Sequence, residues 1–278
     1  MKSPVTETEE LELHLLLEAI HRKYQYDFRD YSPASLKRRL AQALHHFDCE
    51  SFSQLQHHVL HRPDAISALL PFLTVQVSEM FRDPTYFKSL REQVIPHLKT
   101  YPSLKVWVAG CSAGEELYSL AILFREEGLE SRTIFYATDI NTDALKKAKD
   151  GIYPLDRISL FTENYQKAGG KASLSDYYTT GYGRAMFDKT LRERTVFSDH
   201  SLVSDAVFAE MQLVSCRNVL IYFKRDLQDR AIGLFKDSLV RKGFLGIGSK
   251  ESLRFSAHAA SFEEFDREQR IYQKLSLL

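Results

Sequence analysis

The chain lacks most features that would announce a class outright. Among 278 residues there are three cysteines, Cys49, Cys111 and Cys216. A sparse, odd set fits a reducing compartment better than a disulfide framework. Each thiol reads most simply as a small buried hydrophobe. Net charge is also absent, with 37 Lys+Arg against 37 Asp+Glu. That balance excludes the broad basic footprint of a non-specific nucleic-acid binder, though not a local basic patch. Long apolar runs are missing too. The longest uncharged stretches, such as Ala65–Ser78, are too short to span a bilayer, and this one contains Pro71. Met1–Leu17 carries acids and no basic segment leading into a clean apolar run, so no signal peptide is expected. A cytoplasmic globular protein, not embedded in a membrane, is the resulting expectation. Disorder and coiled coil are disfavoured by 44% hydrophobic and 27% charged residues.

What is present changes character along the chain. Up to about residue 75 the pattern is helical and no strand is expected. In Glu7–Arg22, Leu11, Leu15 and Ala19 fall at helical spacing, with Leu16 and Ile20 widening the stripe. Ser32-Pro33 announces a second helix to about Phe47, with Lys37, Arg38 and Arg39 on its outer face. Ser51 or Ser53 begins a third helix and Asp64 a fourth. Asp83-Pro84 opens a helix to about Leu98. Beyond it, strands at Lys105–Ala109, Thr133–Ile140, Leu191–Leu202, Met211–Ser215 and Phe244–Gly248 are interspersed with helices at Gly114–Glu127, Asn141–Lys149 and Asp226–Val240. That alternation predicts an α/β fold with a mainly parallel sheet, closed by the run Phe262–Leu275. Residues 151–190, rich in glycine and tyrosine, are too long for a simple connection and read as a small β-rich insertion. Two domains are expected, 1–75 and 76–278.

Ligands of such sheets bind beyond the carboxyl ends of the strands, where the connection direction reverses. After the first strand comes Gly110-Cys111-Ser112-Ala113-Gly114-Glu115-Glu116. No Gly-Lys-Ser/Thr follows, and the third glycine of a dinucleotide fingerprint is missing. Two acids at the helix start would repel a pyrophosphate but welcome a positive ligand. A plain structural turn, with acids favoured by the helix dipole, is the alternative. Asp139 ends the second strand, where a carboxylate can accept bonds from ribose hydroxyls. Together these suggest an adenosine ligand without phosphates, and S-adenosylmethionine fits. Asn218 and Tyr222, following the fourth strand, lie near the reversal point. Arg82 stands just before a helix, where the alternative is an ordinary surface ion pair.

The segments VWVAGCSAGEELYSLAI (106–122), ATDI (137–140), CRNVLIYF (216–223) and SEMFRDP (78–84) resemble the CheR family. These are chemotaxis receptor methyltransferases that esterify receptor glutamates with S-adenosylmethionine, releasing S-adenosylhomocysteine. The resemblance covers nearly the whole chain. It implies a helical receptor-recognition domain, a Rossmann-like methyltransferase domain and an inserted antiparallel β-subdomain. Cofactor contacts carry over to Gln76, Ser78, Arg82, Glu115, Asp139, Ser201, Leu202 and Asn218, with Arg82 and Tyr222 positioning the acceptor glutamate. Gln76, Ser78 and Ser201 depart from the family's usual Asn, Thr and Asn, each swap keeping a hydrogen-bonding group. The loop at Thr179–Arg184 looks shorter than in members that grip a receptor's C-terminal peptide, so peptide-independent action is expected.

Methyl transfer to a carboxylate is an in-line displacement, and a glutamate with an ordinary pKa of about 4.3 needs no base. Orientation is the catalytic requirement. Lys37, Arg38 and Arg39 are expected to face the acidic cytoplasmic bundle of a chemoreceptor, the alternative being a solvated helix face. Seven of the ten histidines precede residue 62. His57 and His61 are one turn apart, but no third ligand is apparent and no metal is expected. Rival readings are a methyltransferase with a small-molecule or non-chemotaxis substrate, a CheR-like signalling module that binds the cofactor without catalysis, and a nicotinamide oxidoreductase. The missing glycine and the acids at the helix start disfavour the last.

Overall fold

The computed structural model describes residues 4–74 and 78–276. The chain divides into two compact units, Met1–Val75 with Tyr222–Gln228, and Gln76–Ile221 with Asp229–Leu278.

The first unit contains helices α1 (Pro4–Tyr24), α2 (Pro33–His46), α3 (Phe52–His61) and α4 (Ala65–Leu73). In α1 the buried stripe is Leu13, Leu16, Leu17 and Ile20, while Leu11 and Leu15 are exposed. This corrects the expected phase. A helix with leucine on nearly every side does not specify which stripe faces in, and packing against α3 makes the choice. Tyr24 Oη donates to the Val59 carbonyl at 2.7 Å, and Ser53 Oγ donates to Glu12 at 2.6 Å. Ser51 caps α3 by accepting from Gln54 N. Ser32 and Asp64 occupy cap positions without a side-chain cap bond. Ser32 N instead donates to the Tyr222 carbonyl at 2.7 Å, and Lys224 N donates to the Asp30 carbonyl at 2.8 Å. Those bonds tie Tyr222–Lys224 to this unit. The His57 and His61 rings lie 4.5 Å apart. Among the described residues no group of three His, Cys, Asp or Glu is arranged to hold a metal.

In the second unit, α5 (Pro84–Ser89) continues through a π-helical turn, Leu90–Val94, into α6 (Ile95–Leu98). The sequence predicts one uninterrupted helix there. Then follow β1 (Leu104–Ala109), α7 (Glu115–Glu126), β2 (Thr133–Asp139), α8 (Thr142–Asp150), β3 (Ile152–Pro154), α9 (Ile158–Lys167), β4 (Tyr178–Gly181), β5 (Arg184–Phe187) and β6 (Thr195–Asp199). The chain ends with β7 (Met211–Cys216), α10 (Arg225–Ser238), β8 (Leu239–Ile247), β9 (Phe262–Asp266) and β10 (Ile271–Lys274). Among the described residues a seven-stranded sheet has the order β6-β2-β1-β7-β8-β10-β9. Strands β6, β2, β1, β7 and β8 are parallel, and β10 pairs antiparallel with both β8 and β9. Connection direction therefore reverses between β1 and β7. The interior strand β1 is buried on both faces, as its continuous apolar run requires. Trp107 is fully buried and donates to Thr138 Oγ1 at 2.9 Å.

Residues 151–190 contain the three-stranded antiparallel sheet β3-β5-β4 and also helix α9, which the glycine-rich reading did not foresee. Its β4–β5 turn is Tyr182-Gly183, both left-handed. The expected long strand at 191–202 is only Thr195–Asp199, because a 3₁₀ turn occupies Lys189–Arg192.

Glu127, just after α7, is gripped by Lys171 Nζ at 2.6 Å, Arg91 Nη1 at 2.8 Å and Lys99 Nζ at 3.1 Å. Burial alone would raise its pKa, but these bonds outweigh burial and lower it to about 2. A carboxylate depressed on folding stabilises the protein above its unfolded pKa and loses that contribution as pH falls through the folded one. At about 1.4 kcal/mol per pKa unit the ceiling is ~3 kcal/mol. Lys99 and Lys171 are half exposed, so screening reduces the expected value to about 1–2 kcal/mol. Glu127→Gln should melt below the wild type at neutral pH, and the gap should close as pH falls from about 5 to about 2. A gap independent of pH would refute the linkage.

Candidate functional site

The carboxyl ends of β1, β2 and β7 bring the sequence motifs together. Gly110 leaves β1 at φ +70, and a Cβ there would stand 2.6 Å from Val219 Cγ2, so only glycine lets the two loops approach this closely. Gly110 N and Cys111 N both donate to the Thr138 carbonyl, at 2.8 and 2.9 Å. Gly114, at φ +93, precedes α7 against Ala148. Cys111 and Cys216 are buried, and burial pushes both thiols well above their usual pKa. They pack as small hydrophobes.

Two carboxylates at these strand ends retain acceptor capacity. Glu115 is 1% exposed. Its Oε1 accepts from Arg157 Nη1 at 2.8 Å, and its Oε2 is buried with no hydrogen-bond partner. Asp139 is buried at the end of β2. Its Oδ2 accepts from Ser112 N and its Oδ1 from Asn141 N, each at 2.9 Å. Burial raises its pKa, against the backbone bonds from Asn141, Ser112 and Ile140 that lower it. A carboxylate offers about four acceptor positions, so Asp139 keeps acceptor capacity beyond these backbone bonds. Asn141 caps α8 by accepting from Asp143 N and Ala144 N, leaving Asp139 to the site. Glu116, paired in sequence with Glu115, does not share its freedom. Ser215 Oγ donates to it at 2.6 Å and Arg217 pairs with it at 3.5 Å.

Arg82 is half-buried in a turn whose neighbours Phe81 (φ 51) and Asp83 (φ 54) are both left-handed non-glycines. Such residues cost of order 1 kcal/mol or more each and persist only where surrounding contacts impose them. Here Ser119 Oγ accepts from Phe81 N at 2.8 Å, Asn164 Nδ2 donates to the Met80 carbonyl at 3.1 Å, and Arg157 donates to the Ser78 carbonyl. The expected cap role of Asp83 fails. It makes no side-chain cap bond and pairs with Arg217 at 2.7 Å instead.

Asn218 follows β7 at φ 61, and its N–H donates to Glu251 Oε2 at 3.1 Å. Glu251 is buried, accepts also from Gly248 N and Ile221 N, and has its pKa raised by burial against those bonds. It shapes the loop carrying Asn218. Leu202 is buried, and Ser201 Oγ accepts from Val203 N and Ser204 N within its own turn. Gln76 lies outside the described residues. Tyr222 belongs to the helical unit, where the Arg39 guanidinium lies 5.5 Å from its ring centre.

Sequence reading missed Arg157, Arg217 and Glu251. Arg217 stands inside the quoted CRNVLIYF segment, beside Asn218. Glu251 follows β8, so asking what lies beyond each strand would have reached it. No local signal marks Arg157, which comes from the insertion.

Comparison with known proteins agrees with this geometry. Residues 76–270 match the model of the CheR methyltransferase, SAM binding domain, and residues 11–74 that of the CheR methyltransferase, all-alpha domain. Cher3 of Pseudomonas putida, a methyltransferase by name, is 57% identical over 265 residues, covering 95% of this chain and 97% of that protein. The chemotaxis protein methyltransferase of Listeria innocua is 30% identical, covering 84% and 87%. Chemotaxis protein methyltransferase 2 of Pseudomonas aeruginosa is 26% identical, covering 79% of each. The loop after β1, the acid ending β2 and the β1–β7 reversal thus lie in a S-adenosylmethionine-binding domain, and the chain belongs to the CheR methyltransferase family.

Proposed function

We propose that this methyltransferase transfers the methyl group of S-adenosylmethionine to glutamate side-chain carboxylates on the cytoplasmic part of methyl-accepting chemoreceptors. The observation that carries the reading is the buried, unpartnered Oε2 of Glu115. A buried carboxylate oxygen without a donor is costly, and the ammonium of a methionine moiety supplies both donor and charge. A phosphate there would be repelled. Asp139, a buried carboxylate at the end of β2 with acceptor capacity left, suits the ribose hydroxyls. Asn218, Ser201 and buried Leu202 are assigned to the rest of the nucleoside, and Ser78 and Gln76 are kept as cofactor contacts on the resemblance alone. The bound cofactor supplies the electrophilic methyl. The protein binds it, excludes water and aims the acceptor.

Arg82 is assigned to the acceptor carboxylate and is the main orienting group, with Tyr222 assisting. The acceptor is ionised at neutral pH, so no residue need remove a proton. The test is labelled methyl transfer to membranes carrying a chemoreceptor, followed by release of base-labile methanol. Cofactor binding without transfer to any receptor would favour a signalling module, and transfer to a small molecule a different substrate.

Receptor recognition is assigned to the helical unit, in a narrower form than the basic triplet suggests. Lys37 pairs with Glu9 at 2.5 Å. Arg39 is turned inward, its Nε donating to the Ser35 carbonyl at 3.1 Å and its Nη1 to the Leu73 carbonyl. Arg38 is the exposed member. Arg38→Glu should slow receptor methylation several-fold at low ionic strength and much less near 1 M salt, where the screening length is about 3 Å. An unchanged rate at both strengths would remove Arg38 from the recognition surface. The two-residue β4–β5 turn supports action without a receptor C-terminal pentapeptide, and receptors with and without it should be methylated equally. No helix among the described residues is long and apolar enough to cross a membrane, and the cytoplasm is the proposed location.

A further inference from the structure

We propose that Asp83 and Glu116, gathered on the buried guanidinium of Arg217, form a charge hub that sets three site residues at once, and so couples the methyl-acceptor position to the cofactor position. The proposal rests on the reading of Arg82, Glu115 and Asn218 as site residues. Each member of the hub is the chain neighbour of one of them: Asp83 follows Arg82, Glu116 follows Glu115, and Arg217 precedes Asn218. They come from three separate parts of the chain, the turn before α5, the first turn of α7 and the end of β7.

The geometry is that of a fork with each prong occupied. The Arg217 side chain is 1% exposed. Its Nη2 meets Asp83 Oδ2 at 2.7 Å and its Nη1 meets Glu116 Oε2 at 3.5 Å. The guanidinium carbon lies 4.1 Å from the centre of the Tyr86 ring. Ser215 Oγ donates to Glu116 Oε1 at 2.6 Å, so the 2.9 Å bond between Tyr86 Oη and Ser215 Oγ runs with tyrosine as donor. Tyr86 in turn lies over Gly246 of β8, where any Cβ would collide with the phenol oxygen. Arg217 is therefore fixed from below by the ring and at both ends by carboxylates.

Two observations show that this arrangement serves position rather than ordinary surface pairing. Asp83 occupies the cap position of α5 but makes no cap bond, and its backbone is left-handed. An aspartate at a cap position without the cap bond accepts left-handed strain with no local return. What it gains is the bond to Arg217, which holds the turn that presents Arg82. Secondly, Arg217 and Asn218 are adjacent residues with Asn218 at φ 61, so movement of the guanidinium is passed directly to a strained cofactor contact. Lysine cannot replace this arginine. A single ammonium does not span two carboxylates while lying flat on a ring.

The test separates the arms of the hub. Asp83→Asn should lower the methyl-transfer kcat about tenfold or more, with affinity for S-adenosylhomocysteine held within about threefold, because only the Arg82 turn is released. Glu116→Gln should act in the opposite sense, weakening S-adenosylhomocysteine through Glu115 more than it lowers kcat at saturating cofactor. Arg217→Lys should do both. Asp83→Asn added to Arg217→Lys should cost little more, because residues acting through one partner are not additive. Transfer would be measured on chemoreceptor-bearing membranes that the wild type methylates, with active protein counted by S-adenosylhomocysteine titration. Hydrogen exchange should rise together at amides 79–83 and 217–219 in Arg217→Lys, and not across the sheet. Losses in kcat and affinity that simply follow the melting temperature across the variants would overturn the hub, as would folded variants with both quantities within about twofold of wild type. Arg82→Ala is the control. If it transfers methyl normally, the site reading itself has failed; if it is inactive while Arg217→Lys is normal, only the hub has.

Discussion

Arg82→Ala is expected to lower single-turnover methyl transfer by about 10²–10³-fold, equivalent to about 3–4 kcal/mol of orienting interaction. On the proposed reading the acceptor carboxylate is already ionised and loses negative charge towards the transition state, so Arg82 would supply aim and not charge stabilisation. The turn that carries it is unusually well determined. Phe81 and Asp83 are both left-handed, and Ser119, Asn164, Arg157 and Arg217 each bond to the segment 78–83. A flexible arginine on the same loop would lose most of its benefit to side-chain entropy. Arg82→Lys keeps the charge but not the planar fork, and should retain about a tenth of the activity. Cofactor affinity in Arg82→Ala should fall by less than about tenfold, since Glu115 and Asp139 remain. Equal loss of affinity and transfer would place Arg82 in cofactor binding alone.

The second large effect concerns Asp139. Both of its oxygens accept backbone N–H bonds at 2.9 Å, which fixes the orientation of the carboxylate. Charge-assisted hydrogen bonds contribute about 1.5–3 kcal/mol each, so Asp139→Ala should weaken S-adenosylhomocysteine about 100-fold by calorimetry. Asp139→Asn is no conservative remedy. Its amide N–H₂ must oppose either Ser112 N–H or Asn141 N–H, donor against donor. The same residue sets a pH dependence. Burial raises its pKa, and on the proposed reading the ionised form is the one that would accept from the ribose hydroxyls. Affinity should therefore be full at neutral pH and fall on acidification, beginning above the ordinary aspartate range of about 3.9. For stability the sign is reversed. A raised carboxylate pKa means the folded state binds the proton more tightly, so ionised Asp139 opposes folding at neutral pH until a ligand satisfies it. Bound S-adenosylhomocysteine should raise the melting temperature less in Asp139→Ala than in wild type. Undiminished affinity in that variant would dismiss the ribose assignment.

The two effects differ in how legible their causes were. Asp139 stands at the end of a β-branched and aromatic run, 25 residues after Gly114, and the rule for open parallel sheets places it without any tertiary information. Arg82 had no such rule behind it. Its motif carried it by resemblance, and its backbone strain and four supporting bonds are long-range facts. The acids of the glycine loop lie between these cases. Their place at a helix start was readable, but which one faces a ligand was not. Glu115 and Glu116 are adjacent and chemically equal, and a helix turns 100° between them. That rotation sends one toward Arg157, with its Oε2 buried and unpartnered, and the other toward Ser215 and Arg217.

Opposite errors arose in the helical unit for a similar reason. The stripe Leu11–Leu15–Ala19 was consistent with helical spacing, as was Leu13–Leu16–Leu17–Ile20, and only the second is buried. Lys37, Arg38 and Arg39 read as one basic face, whereas Glu9 and the Leu73 carbonyl draw two of them away from solvent.

By itself the sequence determined most of the order of elements, the parallel α/β class and the zero net charge, and it pointed to the strand ends as the place for a site. All of these follow from local periodicity, turn chemistry and composition, which act over a few residues and need no partner. Tertiary structure alone decided the phase of α1, the division of labour between Glu115 and Glu116, the diversion of Asp83 from cap to ion pair, and the meeting of Arg217 with two acids 134 and 101 positions away. A charge or a leucine can be satisfied by many neighbours, and its role is settled only when the folded chain leaves it one.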